Sequence, residues 1–271
     1  MTLDDITHPI SKGRAAIARM ETDDRGTRSP SVTVITVVRN ARAQLERTLR
    51  SVAGQSHPHL EYIVVDGGST DGTPDMIREY GQHVDYWVSE PDRGISDAFN
   101  KGIRASSNTY ILLLNAGDTF LHDHALRNAA ADLTWPIVAF EAVNAVDRGI
   151  GCAHYRPRSP RMLARLPHQA TFVRRDIYTR YGGYSLDFSV RMDYEFFARV
   201  VSSLEPKLVH RPLVRFDETG ISSSLKYKYQ FEREGYLVEQ RYFPGAPGRI
   251  GKRLLLPGFW LLSHLVTQER V

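Results

Sequence analysis

The first 120 residues switch repeatedly between continuous apolar runs and apolar residues at helical spacing. The run Ser31–Val38 is rich in β-branched residues, which is typical of a buried strand. Leu45, Leu49 and Val52 recur at intervals of four and three residues and predict the buried stripe of a helix. The pattern in this part predicts strands at 31–38, 62–65, 84–88 and 110–114, and helices around 45–52, after residue 73 and at 94–105.

The alternation of strands and helices predicts an α/β fold with a mostly parallel central sheet and right-handed crossovers. Ligands of such sheets bind beyond the carboxyl ends of the strands. Several polar loops follow predicted strands directly, so we expect a site at that edge. Thr73 is expected to cap the second helix, with Pro74 at its first position.

The second half of the chain has a less regular pattern. It predicts strands at 136–140, 169–174 and 207–216 and helices at 192–204 and 225–242. Residues 1–30 are polar and lack an apolar period, which indicates a mobile extension. We therefore predict a flexible segment 1–30, a main domain 31–220 and a helical C-terminal extension 221–271 with basic and apolar character.

Composition and charge narrow the class of protein. The single cysteine, Cys152, excludes an internal disulfide framework and favours a reducing compartment. We see no apolar leader and no apolar run long enough to span a bilayer, so a cytoplasmic location is expected. The net charge of +4 arises within residues 225–271, because residues 1–224 sum to zero. A basic excess confined to the tail argues against a nucleic-acid partner.

Two acidic loops follow predicted strands and are the first candidates for chemistry. The loop Asp66–Thr73 combines an acid with glycines, which let a ligand approach the backbone closely, although a plain polar turn explains it equally well. The loop Asn115–Asp118 follows an apolar strand. A single acid with a polar neighbour suffices to hold Mg²⁺ or Mn²⁺ and leaves positions open for phosphate. The same residues also make an ordinary turn.

Two further segments carry charged groups near predicted helix starts. In the segment Ser89–Gly102, Arg93 could bind a phosphate group. Asp97 or Asn100 could contact the donor sugar or a ribose. A helical ion pair between Asp97 and Lys101 is the simpler alternative.

In the segment Arg191–Glu195, Asp193 is either a helix cap or a partner of the helix dipole, or else a general base for an attacking hydroxyl. Glu195 cannot share its helical face, being two positions away. His168 and Gln169 precede a strand and are candidates for the acceptor side, with a structural histidine as the simpler explanation.

The ordered set of these motifs resembles the GT-A-fold family 2 glycosyltransferases over about residues 31–220. The resemblance implies a nucleotide-binding half at 31–120 and an acceptor half at 121–220. The motifs that carry the resemblance are Val34–Asn40, Val64–Thr73, Glu90–Gly102, Leu114–Asp118, His168–Arg175, Gly182–Tyr184 and Asp193–Glu195. The chain departs from the family pattern at Gly67, where many members have a second Asp, and at Asn115 and Gly117, which replace acids of the metal motif. A subgroup that acts on polysaccharide and glycolipid acceptors has a similar pattern.

The resemblance implies an inverting sugar transfer from a nucleotide-diphosphate sugar to a hydroxyl of a glycan, polysaccharide precursor or lipid-linked acceptor, assisted by Mn²⁺ or Mg²⁺. It implies that Asp193 is the base and Asp118 a metal ligand, and that Asp66 contacts the base or ribose. The residues expected to bind the donor are Thr36, Asn40, Asp66, Gly68, Arg93, Asp97, Asn100, Lys101 and Asn115. The residues expected on the acceptor side are His168, Gln169 and Glu195.

Residues 249–266 begin basic and turn apolar, which suits an anchor lying on the inner face of a membrane. A helix packed on the domain or a contact between copies fits the same pattern, so a homo-oligomer is left open. Arg156, Arg158 and Arg161 cluster near a loop and face either a phosphate-bearing acceptor or water.

Two other functions were compared with the transferase. A Rossmann oxidoreductase requires Gly-x-Gly-x-x-Gly after the first strand, and the segment 38–43 contains no glycine. A nucleotide-sugar or carbohydrate-binding module without catalysis remains as the alternative, with Asp118 and Asp193 arguing against it.

Overall fold

The computed structural model describes residues 29–144, 149–150, 159–219 and 227–245 of the chain. Within these ranges the strands are β1 (Val32–Val38), β2 (Leu60–Asp66), β3 (Tyr86–Ser89), β4 (Tyr110–Leu113), β5 (Thr119–Phe120), β6 (Ile137–Val143), β7 (Gly149–Ile150), β8 (Thr171–Arg174) and β9 (Lys207–Arg215). The helices are α1 (Arg42–Ala53), α2 (Thr73–Glu79), α3 (Ile95–Ala105), α4 (Ala125–Ala130), α5 (Pro160–Leu163), α6 (Arg175–Tyr181), α7 (Met192–Val201) and α8 (Lys228–Tyr242).

The N-terminal half of the sheet confirms the predicted parallel arrangement. Strands β3, β2, β1 and β4 are neighbours in that order, and all three pairings are parallel. Both faces of this half are covered, because the alternating side chains of β1 enter two separate apolar clusters on opposite sides of the sheet. Burial on both faces explains why these strands have continuous apolar sequences.

The C-terminal half of the sheet is mixed, and its register brings new loops to the edge where the parallel strands end. Strand β8 runs antiparallel to β4, so the turn before Thr171 lies beside the carboxyl end of β4. Strand β9 runs antiparallel to β5, with Thr119 opposite Arg215. The residues that precede β5 and those that follow β9 therefore meet at the same edge.

The predicted capping of α2 by Thr73 is wrong. The cap position is Gly72, whose φ of 85° is left-handed, and Thr73 is the first residue of the helix. The Thr73 hydroxyl instead donates to Asp71 Oδ1 at 2.6 Å. Asp71, which lies before the helix, accepts hydrogen bonds from both the N–H and the hydroxyl of Thr73. The threonine before the proline is therefore the first helical residue and not the cap.

Helix α7, which carries Asp193, is held at its start by the C-terminal helix. Glu234 of α8 is buried, and its carboxylate accepts hydrogen bonds from the backbone N–H groups of Ser189 (3.1 Å), Val190 (2.9 Å) and Arg191 (2.7 Å). A carboxylate that accepts several backbone N–H groups is a strong, charge-assisted arrangement. The predicted C-terminal extension therefore contributes directly to the position of the candidate base.

Several expectations concern residues outside the ranges that the structure describes. These are the segment 1–28, the side chains of Arg156 and Arg158, and the apolar tail 249–266. Arg161 lies inside them and pairs with the buried Glu239 at 2.8 Å, so it does not face water freely. Among the residues that were described, none of the helices combines the length and apolarity that crossing a bilayer requires.

Candidate active site

A cleft of about 850 Å³ lies at the edge of the sheet where the parallel strands end. Its walls are formed by the loops after β1, β4 and β9, the turn before β8, and the start of α7. Five of the predicted site residues line it, namely Asn115, Asp118, His168, Gln169 and Asp193. The cleft thus joins the candidate metal ligand and the candidate base, which are 75 positions apart in the sequence.

Asp118 is buried, and both of its carboxylate oxygens accept backbone N–H groups. Oδ2 accepts from Asn115 at 3.1 Å, and Oδ1 accepts from Asp217 at 2.8 Å. Burial raises the pKa of this carboxyl to about 6. The loop therefore holds the acid rigidly in a place where a negative charge lacks solvation, and a nearby cation would compensate it.

The oxygen atoms around Asp118 fit a hard divalent cation. Asn115 Oδ1 is buried and has no hydrogen-bond partner within the described ranges. Asp217 also lies close, since a Cβ added at Gly117 would come within 2.6 Å of its Oδ2 atom. Mg²⁺ and Mn²⁺ favour such oxygen ligands and keep positions open for phosphate. Across the described ranges no three His, Cys, Asp or Glu side chains are grouped as a complete metal cage, so phosphate would have to complete the set.

His168 connects the two ends of the site. Its Nδ1 atom lies 3.4 Å from Asp193 Oδ2, and its Nε2 atom lies 2.9 Å from Asn115 Nδ2. Its imidazole thus lies between the candidate base and the candidate metal side. A histidine so placed holds both side chains in orientation.

The charges in this group keep Asp193 ionised. Burial raises the pKa of Asp193, but the hydrogen bond and charge of His168, the charge of Arg191 and the N–H of Tyr194 outweigh it, so the pKa lies below its ordinary value. Burial lowers the pKa of His168, but Asp193 and Asp118 outweigh it and the pKa lies above its ordinary value. A general base must be deprotonated before it accepts a proton, and Asp193 meets that condition at neutral pH.

Replacing His168 with glutamine is expected to move the acidic limb of the pH–rate profile to higher pH. His168 lowers the pKa of Asp193, so its removal raises that pKa, and the base becomes protonated at a pH where the wild-type base is still ionised. The loss of orientation is expected to lower kcat by up to about 100-fold. Initial rates of sugar transfer from pH 4 to 9 measure both effects.

The exposed His122, which lies away from the cleft, provides the control as His122→Gln. An unchanged acidic limb in His168→Gln would contradict the electrostatic role of His168.

The loop after β1 is hydrogen-bonded to the loop after β2. Asn40, at a left-handed φ of 49°, accepts the N–H of Thr70 on Oδ1 at 2.9 Å, and its own N–H donates to Ser69 Oγ at 2.7 Å. Asp66 is buried and accepts the N–H of Ser69 (3.0 Å) and the hydroxyl of Ser89 (2.5 Å). Asp66 and Asn40 therefore shape the rim of the site, and neither lies on the wall of the described cleft.

Steric contacts explain why glycine occupies positions 67 and 68 of the Asp66 loop. Gly68 adopts a φ of 78°, and a side chain there would press on the backbone of Pro91 at 3.3 Å. A Cβ at Gly67 would collide with the carboxylate of Asp92. The space that the side chain of a second Asp at position 67 would need is thus occupied by Asp92 of the neighbouring loop.

The expected donor contact of Thr36 is not supported by its position. Thr36 is fully buried on the face of β1 that packs with Val34 and Val38, and its hydroxyl accepts a hydrogen bond from Tyr62 at 3.1 Å. Because β1 places successive side chains on opposite faces, Thr36 points into the core, and the loop after Val38 reaches the cleft.

The charged residues around α3 find partners within the protein. The alternative ion pair between Asp97 and Lys101 does not form, because Asp97 pairs with Arg93 (3.0 Å) and Lys101 pairs with Glu90 (2.8 Å). None of these side chains lies on the cleft wall, so their expected donor contacts stay predictions.

Asn100, in the same helix, stabilises the contact between α3 and a distant loop. Its side-chain amide accepts the N–H of Tyr184 and donates to the carbonyl of Tyr184, both at 2.8 Å. It thereby ties α3 to the loop that leads to Asp193, and its expected donor contact also stays a prediction.

Glu195 lies away from the cleft, on a different side of α7 from Asp193. It is buried and accepts hydrogen bonds from Arg199 (3.1 Å) and from the hydroxyl of Tyr242 (2.6 Å). This position favours a structural task for Glu195, in agreement with the separation of the two acids on the helix. Gln169 lies on the cleft wall, and its expected contact with the acceptor stays a prediction.

Several cleft residues were not predicted. Asp217 follows β9 and forms a salt bridge with Arg47, and Arg165, Arg191 and Phe231 line the opposite wall. Asp217 could have been predicted from the same sequence feature as Asp66 and Asp118, which is an acid at or shortly after the end of a strand. The arginines and Phe231 had no such signal, because helix packing alone brings them together.

Comparisons with known proteins agree with this geometry. Residues 33–195 match the sequence profile of the family described as Glycosyl transferase family 2. An uncharacterized glycosyltransferase of Mycobacterium tuberculosis is 34% identical over 206 residues, covering 73% of this chain and 79% of the relative. A PGL/p-HBAD biosynthesis glycosyltransferase of Mycobacterium bovis is 28% identical over 207 residues, covering 71% and 78%. These names favour an enzyme over a binding module without catalysis.

Solved structures confirm the GT-A fold. A fragment of TarS from S. aureus in complex with UDP-GlcNAc has a TM-score of 0.64 at 16% identity, covering 85% of this chain and 71% of the fragment. The mannosyltransferase PcManGT from Pyrobaculum calidifontis, in complex with GDP-Man and Mn²⁺, has a TM-score of 0.63 at 18% identity, covering 88% and 74%. At these identities the likeness extends to the fold alone.

Proposed function

The chain belongs to glycosyl transferase family 2 and is a glycosyltransferase, and we propose that it moves a sugar from a nucleotide-diphosphate donor to an acceptor hydroxyl with inversion at the anomeric carbon. The observation that supports this most directly is the pairing of Asp118 and Asp193 in one cleft, linked through His168. An acid fixed beside hard oxygen donors and an ionised carboxylate held separately are the two groups that such a transfer requires.

In the proposed reaction Asp193 removes the proton from the acceptor hydroxyl while that oxygen forms its bond to the anomeric carbon. The bond from that carbon to the diphosphate oxygen breaks at the same time, and its electron pair leaves with the diphosphate. The proton ends on Asp193 Oδ, which returns it to solvent after product release. Because attack and departure occur on opposite faces of the carbon, a single displacement inverts its configuration.

Asp118, Asn115 Oδ1 and Asp217 are the groups that would hold Mg²⁺ or Mn²⁺ in this cleft. When bound, the cation supplies positive charge that offsets the charge growing on the diphosphate. The protein also contributes: the Asn115–Asp118 loop holds the carboxylate rigidly, and His168 orients Asp193. The UDP-GlcNAc and GDP-Man complexes of the two solved structures suggest nucleoside-diphosphate sugars as the first donors to test.

A panel of UDP- and GDP-sugars with Mn²⁺ is expected to give one donor that raises the thermal midpoint of the chain by several degrees, since ligands stabilise the state they bind. Transfer or slow hydrolysis of that donor should follow, with release of the nucleoside diphosphate. NMR of the product should show the anomeric configuration opposite to that of the donor. A product that retains the configuration would contradict the single displacement, and the absence of any turnover would contradict the proposed donor class.

A further inference from the structure

Two arginines stand on the wall of the cleft formed by α5, α7 and α8. Arg191 Cζ lies 4.4 Å from the ring centroid of Tyr194 and 4.2 Å from that of Phe231, so its guanidinium contacts two aromatic rings. Arg165 Cζ lies 5.9 Å from the same Tyr194 ring. All four residues line the cleft. The rings fix the plane of the Arg191 guanidinium, which reduces the entropy lost when its N–H groups bind a ligand.

The guanidinium of Arg191 makes no hydrogen bond or salt bridge with any residue of the described ranges. Its acidic neighbours are Asp193 and Glu232. Asp193 is directed to His168, and Glu232 pairs with Lys228 at 3.3 Å. Arg165 reaches a carboxylate only at 3.7 Å, on Glu239. Among the residues that the structure describes, Arg191 therefore has no hydrogen-bonded acid, and Arg165 has only the longer contact with Glu239.

Other partly buried arginines of the chain are paired. Arg199 bonds to Glu195 and to the carbonyl of Gly183 (2.7 Å), and Arg161 bonds to Glu239. Burial lowers the pKa of Arg191, and the positive charge of Arg165 adds to this effect. Two like charges near one ring with incomplete compensation form a site that an anion would stabilise.

The position of the pair within the cleft separates it from the donor phosphates. The oxygen donors for the metal, on the loops after β4 and β9, interact with one another through backbone N–H groups. Arg191 instead packs on Phe231 of α8, at the other end of the His168–Asp193 link. In a single displacement the acceptor approaches from the face opposite the leaving diphosphate, so groups beyond the base contact the acceptor.

Resting on the proposed transfer reaction, we propose that Arg191 and Arg165 bind an oxyanion of the acceptor, a carboxylate or a phosphate ester, so that the enzyme selects an acidic acceptor. The fork of N–H donors on a guanidinium matches both groups in a bidentate manner. The pair lies directly beside Asp193 in sequence and in the cleft. An anion held there fixes the neighbouring sugar hydroxyls near the base.

The test measures binding of three small probes to the full chain saturated with UDP or GDP, whichever binds, by ligand-observed NMR or calorimetry. The probes are methyl β-glucuronide, glucose 6-phosphate and the uncharged methyl β-glucoside. We expect at least one charged probe to bind about 10- to 100-fold more tightly than the glucoside, as one charge-assisted contact provides. Comparison of glucuronide with phosphate distinguishes the two sources of the oxyanion. The preference should disappear in Arg191→Gln and weaken in Arg165→Gln.

The matched control is Arg180→Gln. Arg180 is exposed, lies 5.2 Å over the ring of Tyr181 and is outside the cleft, so its loss removes a stacked guanidinium without touching the site. It should retain the preference of the wild type. If Arg191→Gln does not fold, the exposed Arg165 carries the test.

Two results would overturn the proposal: equal binding of charged and neutral probes by the wild type, or weaker nucleotide binding by Arg191→Gln with sugar binding unchanged. The second result would assign the arginines to the donor. Turnover of nucleotide sugars is a separate measurement, so a failure of the proposed function is recognised independently of these outcomes.

Discussion

Substitution of Asp193 by asparagine is expected to lower the rate of sugar transfer by about 100- to 10,000-fold, the contribution of a positioned general base. Asparagine has nearly the same size and keeps an oxygen for the Tyr194 N–H, which Asp193 Oδ1 accepts at 2.7 Å. It cannot accept the proton of the acceptor. Donor affinity should stay within about twofold, because the metal-side loop is untouched. Initial rates at saturating donor and calorimetric titration with the nucleoside diphosphate measure the two quantities.

Asp187→Asn is the matched control, since Asp187 is exposed in the loop that precedes the same helix and lies outside the cleft. It should behave as the wild type in both assays. The explanation of Asp193 as a helix cap is wrong, because Arg191 is the cap residue of α7 and Asp193 is the second residue of the helix. The remaining structural explanation is an acid that interacts favourably with the helix dipole in the first turn, and its loss would lower stability without lowering transfer. Transfer at nearly the wild-type rate in Asp193→Asn would therefore favour the dipole partner and exclude the base.

The second large effect is expected at Asp118. Asp118→Asn should lower kcat/KM for the donor by about 100- to 1,000-fold, the cost of losing one group that stabilises transition-state charge. Activity of the wild type should vanish in excess EDTA and return with Mn²⁺. The variant should recover little at any Mn²⁺ concentration, because the remaining ligands, Asn115 and Asp217, include a single carboxylate.

Controls separate this effect from a general loss of structure. Asp123→Asn changes an exposed acid shortly after β5 and should leave the rate and the Mn²⁺ response unchanged. Asp118 accepts two backbone N–H groups, so its variant needs a measured thermal midpoint. Asn115→Ala provides a second test, because it removes a buried oxygen that has no hydrogen-bond partner in the described part of the chain. A wild-type response to Mn²⁺ in both variants would exclude this loop as the metal site.

The parallel half of the sheet could be predicted from sequence because burial on both faces leaves a strong local pattern. Strand β1 is rich in β-branched residues and β4 is a continuous apolar run, and the loops that follow β2 and β4 contain acids and glycines. Thr36 shows a limit of the family resemblance, which implied that it meets the nucleotide. Its side chain is buried in the core, where its hydroxyl accepts a hydrogen bond from Tyr62 on β2.

The second half of the chain was less predictable because its elements are short and held by distant contacts. Strand β5 has two residues, and helix α5 has four. Such pieces are too short to show a period, and tertiary packing decides them. Arg191 and Phe231 are 40 positions apart and meet only because α8 packs on α7. The Asn115–Asp118 loop could therefore be found from the sequence, and Asp193 mainly from the family resemblance, whereas the cleft wall with Arg191 and Arg165 could not.

The Glu234 carboxylate accepts hydrogen bonds from the backbone just before Asp193, so the active site depends on a residue that is added late in synthesis. A domain generally folds as a unit during synthesis on the ribosome. The parallel strands and Asp118 are present in the nascent chain well before residue 234 has been added. The segment that carries Asp193 gains its carboxylate acceptor only after that point. We therefore expect sugar transfer to begin only when α8 has been made and has docked.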